Sequence, residues 1–119
     1  GLQAFHPGPH ADGLAKALDS DPGVELAVVT LGEKGLMWQR RGLAPQRMAG
    51  FAVPHVIDTT GAGDTFHAAL ALAWADGLDH PSALRFASAA AALKCTRPHG
   101  ILGAPHQDEV QAFLAQQPI

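Results

Sequence analysis

The sequence predicts an α/β fold on three observations. Helix-spaced and extended apolar segments alternate along the chain, the run Val24–Leu31 (VELAVVTL) is short and rich in β-branched residues, and a Gly-Ala-Gly turn opens the longest apolar helix. With 119 residues there is room for a single domain, residues 1–119, that buries roughly two-thirds of its unfolded surface. An apolar share of 47% beside 16% charged residues is that of a folded globular chain rather than a disordered one.

The elements follow in order. The opening GLQAFHPGPH carries two prolines and two glycines and reads as irregular. From His10 to Ser20, Ala11, Leu14, Ala15 and Leu18 recur at helical spacing until Asp21-Pro22-Gly23 ends the helix. Val24–Leu31 then suits a buried parallel strand, and Leu36–Arg40 and Leu43–Met48 are short enough for a meander. Phe51–Ile57 is a further strand candidate, with Pro54 placing it at an edge or bulge. Gly61–Gly77 is the strongest helix, so apolar from Phe66 to Ala75 that burial on more than one face is expected, Trp74 included. A second helix, about Pro81 to Thr96, is rich in alanine, which permits close helix approach and puts Cys95 in the core. Arg97–Pro105 reads as a loop, and Asp108–Gln116 as a short helix with Val110, Phe113 and Leu114 inward.

Charge and composition exclude several function classes. Eight basic against 11 acidic residues leave no positive excess for nucleic acid or anionic lipid. The longest apolar stretch, Ala68–Ala75, is far short of the ~20 residues that span a bilayer. Neither nucleic acid nor membrane is therefore an expected partner. Cys95, the single cysteine, cannot form an internal disulfide, and no basic flank precedes a long apolar run at the N-terminus, which gives the expectation of a reducing, cytoplasmic setting. The chain begins with Gly1 rather than Met, compatible with a piece of something longer.

The chemistry concentrates at Asp58–Asp64, DTTGAGD. Small residues at Gly61, Ala62 and Gly63 let backbone amides approach a ligand, and the unpaired amides of a helix's first turn make an anion site. Asp64 in that place would repel a phosphate unless a metal ion or a reacting hydroxyl stands between them. That combination points to phosphoryl transfer, in which amides stabilise charge on the transferred group while a carboxylate takes the acceptor's proton. A bare first-turn aspartate is equally well explained as a complement to the helix dipole.

The longer string settles that choice. Asp58-Thr59-Thr60-Gly61-Ala62-Gly63-Asp64-Thr65-Phe66 resembles the second signature of the PfkB (ribokinase-like) carbohydrate kinases, D-T-x-G-A-G-D-x-F. Thr30-Leu31-Gly32-Glu33-Lys34-Gly35 is similar to the family's T-x-G-x-x-G turn, and the alanine-rich helix ending Cys95-Thr96-Arg97, followed by a glycine-containing loop, resembles it too. The resemblance implies the C-terminal portion of a ribokinase-like three-layer α/β/α sandwich with a mostly parallel sheet. It implies Asp64 as base, Gly61, Ala62 and Gly63 as anion hole, and Thr30, Gly32, Gly35 and Gly100 at ATP, with Mg²⁺ on the phosphates. It further implies Asp58 and Thr60 at a monovalent cation such as K⁺. The expected acceptor is a sugar-like small molecule, with a nucleoside kinase or a noncatalytic nucleotide-binding fragment as the other readings. Edges cut from a larger sheet also make a homodimer an expectation. Relatives are more than twice as long, the missing part supplying most of the sugar pocket, and where they often have glycine this chain has His99. The Phe66-His67 pair resembles the ketohexokinase and sulfofructose kinase branch.

Other sites are weaker. A dinucleotide fingerprint fails because its third glycine falls on Phe66. No lysine among Lys16, Lys34 and Lys94 follows G-x-x-x-x-G, so a P-loop is excluded. The seven histidines are scattered at 6, 10, 55, 67, 80, 99 and 106 without metal-ligand spacing. His67, three residues past Asp64, is either near the acceptor or a packed helix residue. Lys34 and Arg97 flank the two nucleotide loops, as phosphate contacts or as surface residues.

Overall fold

The computed structural model describes residues 9–117, so the irregular reading of residues 1–10 lies outside the described residues except at Pro9 and His10, which instead begin the first helix. The chain divides into two units, Gly1–Gly50 and Phe51–Ile119.

In the first unit the helical spacing produces α1, Pro9–Ser20. Leu14 and Leu18, one turn apart, are buried and pack with Ala27 and Met37, with Val24, Val29 and Leu31 around them. The strands are β1 (Leu26–Thr30), β2 (Leu36–Arg40) and β3 (Gln46–Met48), in the order β1-β2-β3. Both pairings are antiparallel, with Val28 opposite Trp38 and Leu36 opposite Met48. The expected parallel neighbour for Val24–Leu31 is thus absent among the described residues. The reason is covalent: turns of a few residues can only reverse the chain, whereas a parallel pair needs a crossover of about a dozen. Arg41 ties the end of α1 to the sheet, its guanidinium donating to the carbonyls of Leu18 (2.6 Å), Asp21 (2.7 Å) and Val24 (2.9 Å). A cation there satisfies carbonyls that the helix end leaves unpaired.

The turn between β1 and β2 is a 3₁₀ segment, Gly32–Lys34. Gly35 closes it with φ 95°, and a Cβ there would lie 1.9 Å from the Met48 carbonyl. Glycine is required at that point both for the left-handed backbone and for the close approach of β3.

The second unit is helical. Residues 51–57 form no strand, and Val56 and Ile57 are exposed. Pro54 removes one donor, and the amides of Ile57 and Asp58 go instead to the Cys95 carbonyl, at 2.7 and 3.2 Å. Helix α2 (Ala62–Ala75) buries Thr65, Phe66, Ala69, Leu70 and Ala73 along one stripe. Burial on further faces is not observed: Leu72 and Trp74 remain 42% and 40% exposed, so Trp74 is no core residue, and its ring meets His80 edge-on.

Helix α3 (His80–Cys95) is the centre of this unit, with Ala83, Leu84, Phe86, Ala87, Ala89 and Ala90 all buried. Asp79 caps it by accepting the Ser82 amide at 2.8 Å. Cys95, near its end, is half-buried. The loop after α3 contains a 3₁₀ turn, Gly100–Gly103, and α4 (Gln107–Ala115) returns against α3 with Val110 buried and Phe113 and Leu114 half-buried. Phe51 packs edge-on against Phe113 at 5.5 Å and carries the Arg85 guanidinium over its face.

Candidate active site

The second unit brings together Asp58, Thr60, the glycine turn, Asp64 and Gly100. Gly61 caps α2 in the left-handed conformation, φ 81°, which glycine adopts without steric cost. The Ala62 amide donates back to Thr59 O at 3.1 Å and that of Thr65 to Gly61 O at 2.9 Å. The amides of Gly61, Gly63 and Asp64 bond no protein acceptor among the described residues. These are the orphan donors of a helix start, presented with the positive end of its dipole. Of the three residues expected to form the anion hole, Gly61 and Gly63 have free amides, as does Asp64, while the Ala62 amide is already engaged. Asp64 is exposed in the first turn of α2, so its carboxylate stands in solvent beside those amides. His67 is turned to its own helix, Nδ1 lying 2.7 Å from Gly63 O.

Asp58 organises the approach to this turn. Its Oδ1 accepts the Thr60 amide at 2.9 Å and its Oδ2 the Gly100 amide at 2.9 Å. The Thr60 amide, then that of Gly100, then the Thr60 hydroxyl and finally the charge of Lys94 hold its carboxyl far below the usual carboxylate range. Gly100 thus spends its amide on Asp58, and it takes φ 57° directly after His99 at φ 75°. Thr30, Gly32 and Gly35 belong to the turn of the first unit, where the Gly35 amide closes on Gly32 O at 3.1 Å. Arg97 is not left facing a phosphate: its guanidinium forms a two-pronged pair with the Glu109 carboxylate.

Over residues 4–107 the sequence matches the pfkB family of carbohydrate kinases. The chain belongs to that family. It is 36% identical to the ribokinase of Haemophilus influenzae over 100 residues, 84% of this chain and 32% of that one. Among solved structures, that of Arabidopsis thaliana ribokinase complexed with ribose and ATP superposes with a TM-score of 0.80 at 37% identity, covering 89% of this chain and 33% of that one. An E. coli protein assigned as ribokinase II, in complex with ATP and Mg²⁺, gives 0.82 at 28% identity, covering 94% and 35%. The expected ribokinase-like α/β fold is the fold of these neighbours, and the chain spans about a third of their length.

Against the family pattern, the monovalent cation expected at Asp58 and Thr60 meets an obstacle that sequence reading missed. Lys94, fully buried, donates from Nζ to Asp58 O at 2.9 Å and to Arg97 O at 3.2 Å, and lies 3.6 Å from Asp58 Oδ2. The Asp58 carboxylate, one of the two groups expected to hold K⁺, already accepts two amides and faces this ammonium, so it does not fit a second cation. One signal was legible: Lys94 falls four and seven residues after Ala90 and Ala87, on a stripe otherwise made of buried alanine, where a charge needs specific partners. Among the described residues no group of three or more His, Cys, Asp or Glu is arranged around a metal ion. A cavity of about 170 Å³ lined by Thr65, Leu72, Phe86, Ala90, Pro105 and Val110 is too small for a nucleotide.

Proposed function

We propose that the protein carrying this chain transfers the γ-phosphoryl group of ATP to a hydroxyl of a sugar or sugar-like molecule. The observation that carries this reading is the set of free amides at Gly61, Gly63 and Asp64 beside the exposed Asp64 carboxylate, on a chain of the pfkB family. In the reaction an Asp64 carboxylate oxygen accepts the proton of the acceptor hydroxyl, whose oxygen bonds to the γ-phosphorus as the bond to the ADP oxygen breaks. Charge on the transferred group is met by the orphan amides, a preorganised donor set that needs no rearrangement. Mg²⁺ supplies charge neutralisation on the ATP phosphates when bound. An ion of that kind is usually held through phosphate oxygens and water rather than a cage of side chains, a requirement this donor-poor site fits. The turn Thr30–Gly35 is assigned to the nucleotide by family resemblance.

A pentose is the first acceptor to try, since the Arabidopsis thaliana relative was solved with ribose and ATP. Nucleosides are the second, since a nucleoside kinase of Burkholderia thailandensis, solved with inosine, is 31% identical over 76% of this chain. We assign the work of the protein to the cytoplasm.

The test is Asp64→Asn, with turnover and ATP binding measured separately. Loss of a general base costs about 10² to 10⁴ in rate. Turnover should fall by that factor while calorimetric ATP affinity holds, and unchanged turnover would remove Asp64 from the role.

A further inference from the structure

We propose that Lys94 is a tethered cation: its ammonium does in this protein what a bound monovalent ion does between two loops, so the protein neither needs nor binds K⁺ at Asp58. The argument starts from burial. Lys94 is 0% exposed, so its ammonium has given up its water and must be compensated by protein oxygens. It finds two carbonyls, Asp58 O at 2.9 Å and Arg97 O at 3.2 Å, and a carboxylate oxygen, Asp58 Oδ2, at 3.6 Å. A shell of carbonyl and carboxylate oxygens replacing water is also what selects a large monovalent cation. Two positive charges on one such set of oxygens would repel at close range in a poorly solvated place.

The position matters as much as the charge. Lys94 sits in the last turn of α3, where a cation is favoured by the helix dipole and by carbonyls without intrahelical donors. Through it α3 grips both strands of the arrangement, residue 58 ahead of the glycine turn and residue 97 ahead of the Gly100 loop. Asp58 extends the grip, since its two oxygens hold the amides of Thr60 and Gly100. Thr60 is the residue before Gly61. Lys94 is therefore a positioning residue: it fixes the segment from which the anion-hole amides project and touches no reacting atom itself.

This inference rests on the kinase reading only for its turnover arm. The test compares K⁺, Na⁺ and choline chlorides at equal ionic strength on the purified protein that carries this chain, reading melting temperature, thallium-205 NMR with Tl⁺ as the K⁺ probe, and turnover. For the unaltered protein the expected result is one melting temperature in all three salts, no bound thallium resonance and the same turnover. For Lys94→Ala and Lys94→Gln, turnover in choline should fall about tenfold to a hundredfold, the range seen when an outer-shell partner of a bound ion is removed. K⁺ should then restore turnover and raise the melting temperature of these variants selectively. A K⁺-specific rise in stability, or bound thallium, in the unaltered protein would overturn the proposal. So would a folded Lys94→Ala with full turnover in choline. If neither variant folds in any salt, the melting and thallium comparison on the unaltered protein decides the question alone. Since those two readouts require no substrate, their failure is distinguishable from failure of the kinase assignment.

Discussion

His99 holds a left-handed backbone, φ 75°, at a place where the family pattern often has glycine, and its side chain is exposed. A Cβ in that region crowds the following carbonyl and costs about 1–2 kcal/mol, partly relieved for residues such as histidine that visit it more often. Gly100 follows at φ 57°, and its amide must reach Asp58 Oδ2, so the turn cannot relax into a right-handed form without losing that bond. We therefore expect His99→Gly to stabilise the protein by about 1 kcal/mol in equilibrium urea unfolding. A variant that is less stable would mean that the imidazole makes a contact worth more than the strain. At this scale the sequence was most informative where one residue type is demanded by geometry. Gly35 and Gly61 were both singled out from motif and both occupy positive φ. For Lys94 only its place on the alanine stripe was legible; its partners were not, because Asp58 lies 36 residues away and only the fold brings its oxygens to the ammonium.

Among the elements, helices were legible and sheet pairing was not, for a physical reason. Helical spacing is local, and α1, α2, α3 and α4 each fall within two residues of the expected bounds. Strand character is also local, and β2 spans Leu36–Arg40 as expected. The direction of pairing depends on which neighbour is present, and the apolar content of Val24–Leu31 says only that a strand is covered, not by what. The same limit explains Phe51–Ile57, where strand-like composition meets no partner strand among the described residues. The uniformly apolar α2 misled in the other direction, since alanine and leucine fill its exposed side as readily as its buried one. Helix α3 is different: it is covered nearly all round, so its large side chains carry the packing of the second unit. Leu84 is 0% exposed. Truncation of such a residue removes its transfer free energy and leaves a cavity that rigid neighbouring helices cannot fill, at a cost of about 2–5 kcal/mol. Leu84→Ala should show that loss in chemical denaturation with little change in the slope of the transition. A loss under about 0.5 kcal/mol, the size of an ordinary surface substitution, would show that α3 is not the packing centre described.

At the scale of the whole molecule, carboxylates make stability depend on acid, and beside the helix cap Asp79 two of them tie loops together. Asp58 joins residues 58–60 to the Gly100 loop, and Glu109 joins α4 to the segment leaving α3 through Arg97. The Arg97 guanidinium, followed by the His106 amide, lowers the Glu109 carboxyl from 4.5 to about 2, and the amides of Thr60 and Gly100 hold Asp58 below its ordinary 3.8. Both groups have a folded pKa below the unfolded one. In that case the unfolded chain binds more protons at low pH, so the stabilisation is complete above about pH 4.5 and is lost as the pH falls toward 2. The melting temperature should therefore be flat with respect to these two groups from neutrality to about pH 5 and then fall with acid. Glu109→Gln separates the contributions: it should lower the melting temperature at pH 7 and make the remaining descent shallower, because only Asp58 and Asp79, whose carboxyl the Ser82 amide also lowers, are then left to protonate. An unchanged descent in that variant would show that the Arg97 pair adds nothing to folding, the common fate of ion pairs as exposed as this one. The descent that survives belongs to Asp58, which holds the loop pair on which the glycine turn stands, and to Asp79, which caps α3.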